Sequence, residues 1–136
     1  MRSMSEMSIL QRLEFLTEKA RQAVDRTSHI ASHHEFLNTP DGLDIFDATV
    51  LRVQVTGEML KQIDDLTLGK LLIPNYPQIP WRAIFGLRNV ISHEYAMVDP
   101  EEFFRILKTD LPQLLLVLYD IIADFRAGRY DQQFTR

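Results

Sequence analysis

The chain has 136 residues, 46% of them hydrophobic and 25% charged, which is the balance of one folded domain and excludes a chain disordered throughout. It has no cysteine, which excludes disulfides, thiolate catalysis and cysteine-bound zinc and fits a reducing cytoplasm. A formal net charge of −4 argues against a protein that coats nucleic acid with its whole surface, so any nucleic-acid contact has to be local.

The opening M-R-S-M-S-E-M-S-I-L has no long apolar core, so no signal peptide is read there. The longest apolar run, Leu114 to Leu118, is far too short to span a bilayer. From about Ser5 to His34, Leu10, Leu13, Leu16, Ala20, Ala23 and Val24 recur at helical spacing with charges on the other faces. One long amphipathic helix is expected, with an uncertain end at S-H-I-A-S-H-H-E-F. Asn38-Thr39-Pro40-Asp41-Gly42 reads as a turn. A second helix is expected from about Leu43 to Ile63, where Phe46, Val50, Val53, Gly57, Leu60 and Ile63 repeat three or four apart. Leu51 and Val55 widen its apolar stripe.

Between Asp64 and Pro80 three prolines in P-N-Y-P-Q-I-P rule out a continuous helix, so a loop with apolar anchors is expected. The third helix covers Trp81 to about Ser92 and ends near His93. Asp99-Pro100-Glu101-Glu102 then combines an N-cap acid, a proline at the first helical position and acidic charge on the positive helix end. It starts a fourth helix from about Pro100 to Phe125, kinked or divided at Pro112 and stopped by Gly128. The sum is an all-α antiparallel bundle of four main helices. It forms a single domain over residues 1–136, with a core of about 5–125 and a loose polar tail of 126–136. The wide stripes on the second and fourth helices suggest a homodimer.

The chemistry concentrates in R-N-V-I-S-H-E-Y. Arg88 offers a fixed cation and a planar donor fork suited to phosphate, and His93 moves protons near neutral pH. Five residues apart, they diverge by about 140° on an ideal helix, whereas Asn89 and His93 share a face. In a symmetric dimer, two such pairs facing each other would supply two imidazoles and two guanidiniums to one phosphate. RNA cleavage needs little more. One group takes the proton of the 2′-hydroxyl, which attacks phosphorus; another protonates the leaving 5′-oxygen; cations stabilise the charge on the phosphoryl oxygens. The nucleophile belongs to the substrate, so no metal or cofactor is required, and DNA, lacking that hydroxyl, is excluded. The plain alternative makes Arg88 a helix cap or ion-pair partner and His93 a helix-end histidine, and spacing alone favours it.

R-N-V-I-S-H-E-Y resembles the Arg-x4-His-x-Tyr motif of HEPN-domain ribonucleases, specifically the HepT-like toxins. V-L-R-V-Q-V-T-G-E-M-L-K, P-Q-I-P-W-R-A-I-F-G-L-R-N and D-P-E-E-F-F-R-I-L-K-T-D-L-P-Q-L resemble that family's other helices, so the likeness covers roughly residues 5 to 125. The resemblance implies that Arg88 and His93 are the ribonuclease pair, completed by a second protomer, with Asn89 supporting the site's geometry. It implies that Tyr95 accepts AMP from a cognate MntA-type nucleotidyltransferase antitoxin, whose added charge and bulk would block RNA. Glu94 departs from the glycine common at that place, and a carboxylate there could oppose RNA. That departure and the acidic net charge keep a second reading open, a non-catalytic dimer that binds nucleotide or holds the nucleotidyltransferase. A third reading is a plain interaction bundle with no special site.

Three weaker signals complete the survey. His29 and His33, four apart, could share a metal on one helix face, but no third ligand stands at a supporting spacing. Tyr95 could simply close one end of the bundle. Asp64-Asp65 reads as a polar helix end.

Overall fold

The computed structural model describes residues 7–94 and 98–134, and for 88–94 it describes the backbone alone. The described residues are all helix, turn and loop, with no strand, as the periodicity requires. Helix α1 is Ile9–Asp25, α2 is Pro40–Leu66, α3 is the short Leu72–Asn75 and α4 is Trp81–Glu94. The last long helix is built in three pieces: α5 Pro100–Arg105, a π-helical stretch Ile106–Asp110, and α6 Leu111–Arg126.

The ends of α1 are set by polar bonds that periodicity does not reveal. Its start is a reciprocal capping box: the Gln11 N–H donates to Ser8 Oγ at 3.1 Å, and the Ser8 N–H donates to Gln11 Oε1 at 3.0 Å. Its end lies at Asp25, well before His34, which corrects the longer helix expected. There Thr27 Oγ1–H donates back to the Ala23 carbonyl at 2.6 Å, and Lys108 Nζ, from the π stretch, donates to the Thr27 carbonyl at 2.6 Å. These contacts satisfy carbonyls that a continuing helix would have used. His29 therefore sits in the turn after α1 and His33 in a separate 3₁₀ turn, His33–Phe36, so the two share no helix face. Among the described residues no group of three or more histidines and carboxylates gathers at a metal-binding spacing.

The proposed turn at 38–42 is instead the first turn of α2. Thr39 is its N-cap, accepting from the Gly42 N–H at 2.9 Å, with Pro40 as the first helical residue. Gly42 is where the 3₁₀ turn lies on α2. A Cβ built there would stand 2.0 Å from the Glu35 carbonyl oxygen. The turn is held down by Phe36, fully buried, whose ring meets Phe46 at 5.2 Å and Phe104 at 6.3 Å.

Pro112 divides the fourth helix as expected, and the structure shows how. The Leu111 N–H reaches five residues back to the Ile106 carbonyl, so the helix widens for one turn just ahead of the proline. The C-terminal tail is a correction. Tyr130 is buried, and Phe134 packs on the same core. The core itself is formed by α1, α2 and α6, with Leu13, Leu16, Leu60, Ile63, Leu118 and Ile121 at its centre. Helix α1 packs on both α2 and α6, whereas α4 packs on α2. The buried Arg12 ties α1 to α2, its Nη1 donating to Gln62 Oε1 at 3.1 Å and its Nε to the Met7 carbonyl at 3.1 Å. No helix among the described residues is long and apolar enough to cross a membrane.

Two outcomes follow from the turn at 33–36. Gly42→Ala places a methyl group on the Glu35 carbonyl and is expected to destabilise the protein by about 2 kcal/mol, the scale of overpacking, read from the urea midpoint. The Glu35 carboxylate accepts from the Ala31 and Ser32 N–H groups, and these bonds hold its pKa below the ordinary 4.5. A lowered folded pKa means that this stabilisation is present above about pH 4.5 and is lost as pH falls through the folded value. Glu35→Gln is therefore expected to flatten the acid limb of the stability curve below pH 4.5, checked by melting temperature against pH.

Candidate active site

Helix α4 carries three of the four candidate site residues. Its start is fixed by Trp81, which is 2% exposed and whose indole N–H donates to the Tyr76 carbonyl at 2.8 Å. One turn later Phe85 is buried, with the Lys61 ammonium of α2 over its ring at 5.6 Å. That lysine is also paired with Asp65 at 2.9 Å. Arg82, Ala83 and Gly86 are exposed on the opposite side. The two faces of α4 are thus settled before the motif begins.

The helix continues without a break to Glu94, so register extends those faces into the motif. At about 100° per residue, Arg88 shares a register position with Trp81 and Phe85. His93 shares one with Arg82 and Gly86. Asn89 falls between them, four residues before His93. The helix does not loosen at His93, and within one chain the register keeps Arg88 and His93 on different faces. Tyr95 lies outside the described residues.

Beside α4 the structure shows a feature that spacing did not reveal. Between α4 and the last helix runs an apolar groove of about 180 Å³, with Ile84 and Leu87 on one wall and Ile106 and Leu114 on the other. Among the described residues α4 packs on α2, and Ile106 and Asp110 of the π stretch line the groove opposite it. Arg105 and Asp110, paired at 3.3 Å, border it. Deeper in, the groove meets Val53, Thr56 and Gly57 of α2. The alternating half-buried Ile84 and Leu87 were the sequence signal for it, but their exposure depends on which helix fails to cover them.

The packing predicts that α4 depends on its aromatic contacts. Phe85→Ala removes the ring under Lys61 and is expected to cost about 3 kcal/mol, in line with large-to-small changes at buried aromatics, measured by chemical denaturation.

Comparison with known proteins gives the chain a family. The model of the family described as "Ribonuclease HepT-like" matches residues 14–121, which include α2, α4 and most of α6. The chain is 27% identical to "Putative RNase MJ1380" of Methanocaldococcus jannaschii over 111 residues, 82% of this chain and 94% of that protein. It is also 27% identical to "Putative RNase MJ0127" of the same organism over 77 residues, 57% of this chain and 60% of that protein. No solved structure matches the chain significantly. With a family model covering most of its length and the Arg88, His93 and Tyr95 motif inside the match, the chain belongs to the HepT-like ribonuclease family.

Proposed function

We propose that this protein is a metal-independent endoribonuclease, the toxin of a two-component toxin–antitoxin system, acting as a homodimer on RNA. The observation that carries the reading is the motif's place. Arg88, Asn89 and His93 occupy the last turns of a helix anchored at its other end, inside the span that matches a ribonuclease family. Register separates Arg88 from His93 on one helix, so each chain supplies half a site and a second protomer supplies the rest. In the assembled cleft one His93 takes the 2′-hydroxyl proton. The 2′-oxygen then attacks phosphorus, giving a cyclic phosphate, as the bond to the 5′-oxygen breaks. The other His93 returns a proton to that oxygen, and the Arg88 pair offsets the negative charge on the phosphoryl group. Asn89 orients the imidazole of its own chain. Leu51 and Leu116, both well exposed, and the groove along α4 are apolar surface that a second copy would cover.

In this reading, Tyr95 is the switch. A nucleotidyltransferase antitoxin of the MntA type would transfer AMP to its phenol oxygen, with pyrophosphate leaving, and the new negative charge beside His93 would exclude RNA. A second reading has an observation of its own. Glu94 ends α4 beside His93, and the chain's net charge is −4. Both favour a dimer that binds nucleotide or holds its partner without cutting RNA.

RNA incubated with purified protein in chelator separates the two. The wild type is expected to cleave, leaving cyclic phosphate ends, and His93→Ala to lose at least about 100-fold in rate, the scale of a general acid–base group. Equal survival of RNA with both proteins supports the non-catalytic dimer. Intact mass after co-expression with the candidate antitoxin tests the switch. AMP increments are expected on the wild type and absent from Tyr95→Phe, and their persistence in that variant would assign the acceptor elsewhere.

A further inference from the structure

Helix α6 ends in a Schellman turn. Gly128 has φ 85°, its N–H donates to the Phe125 carbonyl at 3.1 Å, and the Arg129 N–H donates to the Asp124 carbonyl at 3.1 Å. The turn sends the chain back over the bundle and buries Tyr130 against Phe125, ring centres 5.0 Å apart. There Tyr130 meets Tyr76, a buried residue from the loop ahead of α4.

The proton positions in this pair follow from counting. The Tyr76 hydroxyl donates to Asp124 Oδ2 at 2.6 Å, and that uses its one proton. The Tyr130 hydroxyl, 2.7 Å from the Tyr76 oxygen, must then be the donor in their mutual bond. Arg129 Nη1 donates to the same Asp124 oxygen at 2.8 Å, and its guanidinium lies over the rings of Tyr76 and Tyr130 at 5.8 and 5.0 Å. Burial and the neighbouring carboxylate push the Tyr76 phenol far above its ordinary pKa, so this arrangement persists across neutral pH. The backbone of Tyr76 then passes the restraint on, because its carbonyl accepts the Trp81 indole N–H. Trp81 is the first residue of the motif helix.

We propose that the C-terminal turn is a latch that sets the position of α4, with Tyr130 and Tyr76 acting as positioning residues for the candidate site at the far end of that helix. Among the described residues α4 packs on α2 and an apolar groove runs between it and the last helix, so a restraint at Trp81 adds to what that packing supplies. Its 14 residues span about 21 Å, so a tilt of about 5° at Trp81 displaces the far end by about 2 Å. A displacement on that scale is large for a reaction that depends on placing acid, base and cation around one phosphate.

The test uses the full chain with Tyr130→Phe, Tyr76→Phe and, as a control, Tyr119→Phe, an exposed tyrosine of α6 outside the network. Trp81 is the chain's single tryptophan, so acrylamide quenching of its emission reads the start of α4 directly. Amide hydrogen exchange reads the rest of α4, and kcat and KM for RNA cleavage read the site. At temperatures where all variants are folded, Tyr130→Phe is expected to raise quenching and α4 exchange by roughly two- to ten-fold, the range of one hydrogen bond, and to lower kcat with KM unchanged. Tyr76→Phe is expected to do more, because it leaves the Tyr130 hydroxyl without its acceptor and takes a donor from Asp124. Tyr119→Phe is expected to match the wild type. Unchanged quenching and exchange in a folded Tyr130→Phe would overturn the latch, and so would a changed α4 with wild-type kcat. Only the kinetic arm rests on the ribonuclease reading. A wild type that leaves RNA intact defeats that reading alone, and the two measurements on α4 then decide the latch.

Discussion

Trp81 is where the motif helix is tied to the rest of the domain. Its ring is buried, its indole proton is used by the Tyr76 carbonyl, and its backbone N–H is used by the Ile79 carbonyl at 2.9 Å. A buried indole with a satisfied proton permits little choice of position. From that fixed start, the 3.6-residue repeat determines where every later residue of α4 stands. Arg88 follows Phe85 on one side of the helix, and His93 follows Gly86 on another. The geometry of the candidate site therefore follows from one anchored side chain and one helical pitch.

The same constraint is the reason for proposing that a second chain completes the site. A regular helix cannot bring residues five apart to one face, and α4 stays helical to Glu94. A fold that wanted Arg88 and His93 together in one chain would need a break between them. An unbroken helix instead suits the proposed reaction, in which two copies of a simple half-site surround one phosphate. The groove beside α4 is apolar surface that the proposed second copy would cover.

Much of this was legible in the residues, and the failures have physical causes. The helices were visible because their apolar residues keep the spacing that a two-sided bundle imposes, and Asp99-Pro100 announced α5 through its cap and its missing N–H. Thr39-Pro40 used the same device at α2, but Asp41 and Gly42 disguised it as a turn. Gly42 is there to let the Glu35 carbonyl approach, a tertiary demand that local sequence does not express. The early end of α1 likewise depends on Lys108, 81 residues away, bonding the Thr27 carbonyl. The tail was misread because its composition is polar, whereas one aromatic ring, Tyr130, decides its fate. The candidate residues Arg88, Asn89, His93 and Tyr95 were legible as a motif. The proposed assembly across two chains is not a property that local sequence expresses.

The central claim is that the site is shared between protomers, and subunit mixing tests it most directly. Wild-type and His93→Ala chains are combined and allowed to exchange subunits, with formation of the mixed dimer confirmed by native mass spectrometry. The mixed dimer retains one His93, so a shared site has its base or its acid but not both. The account predicts that the mixed dimer cleaves RNA at least about 100-fold more slowly than the wild type, the scale of a general acid–base group. A mixed dimer that cleaves RNA like a protein with one of two independent sites left intact would contradict it.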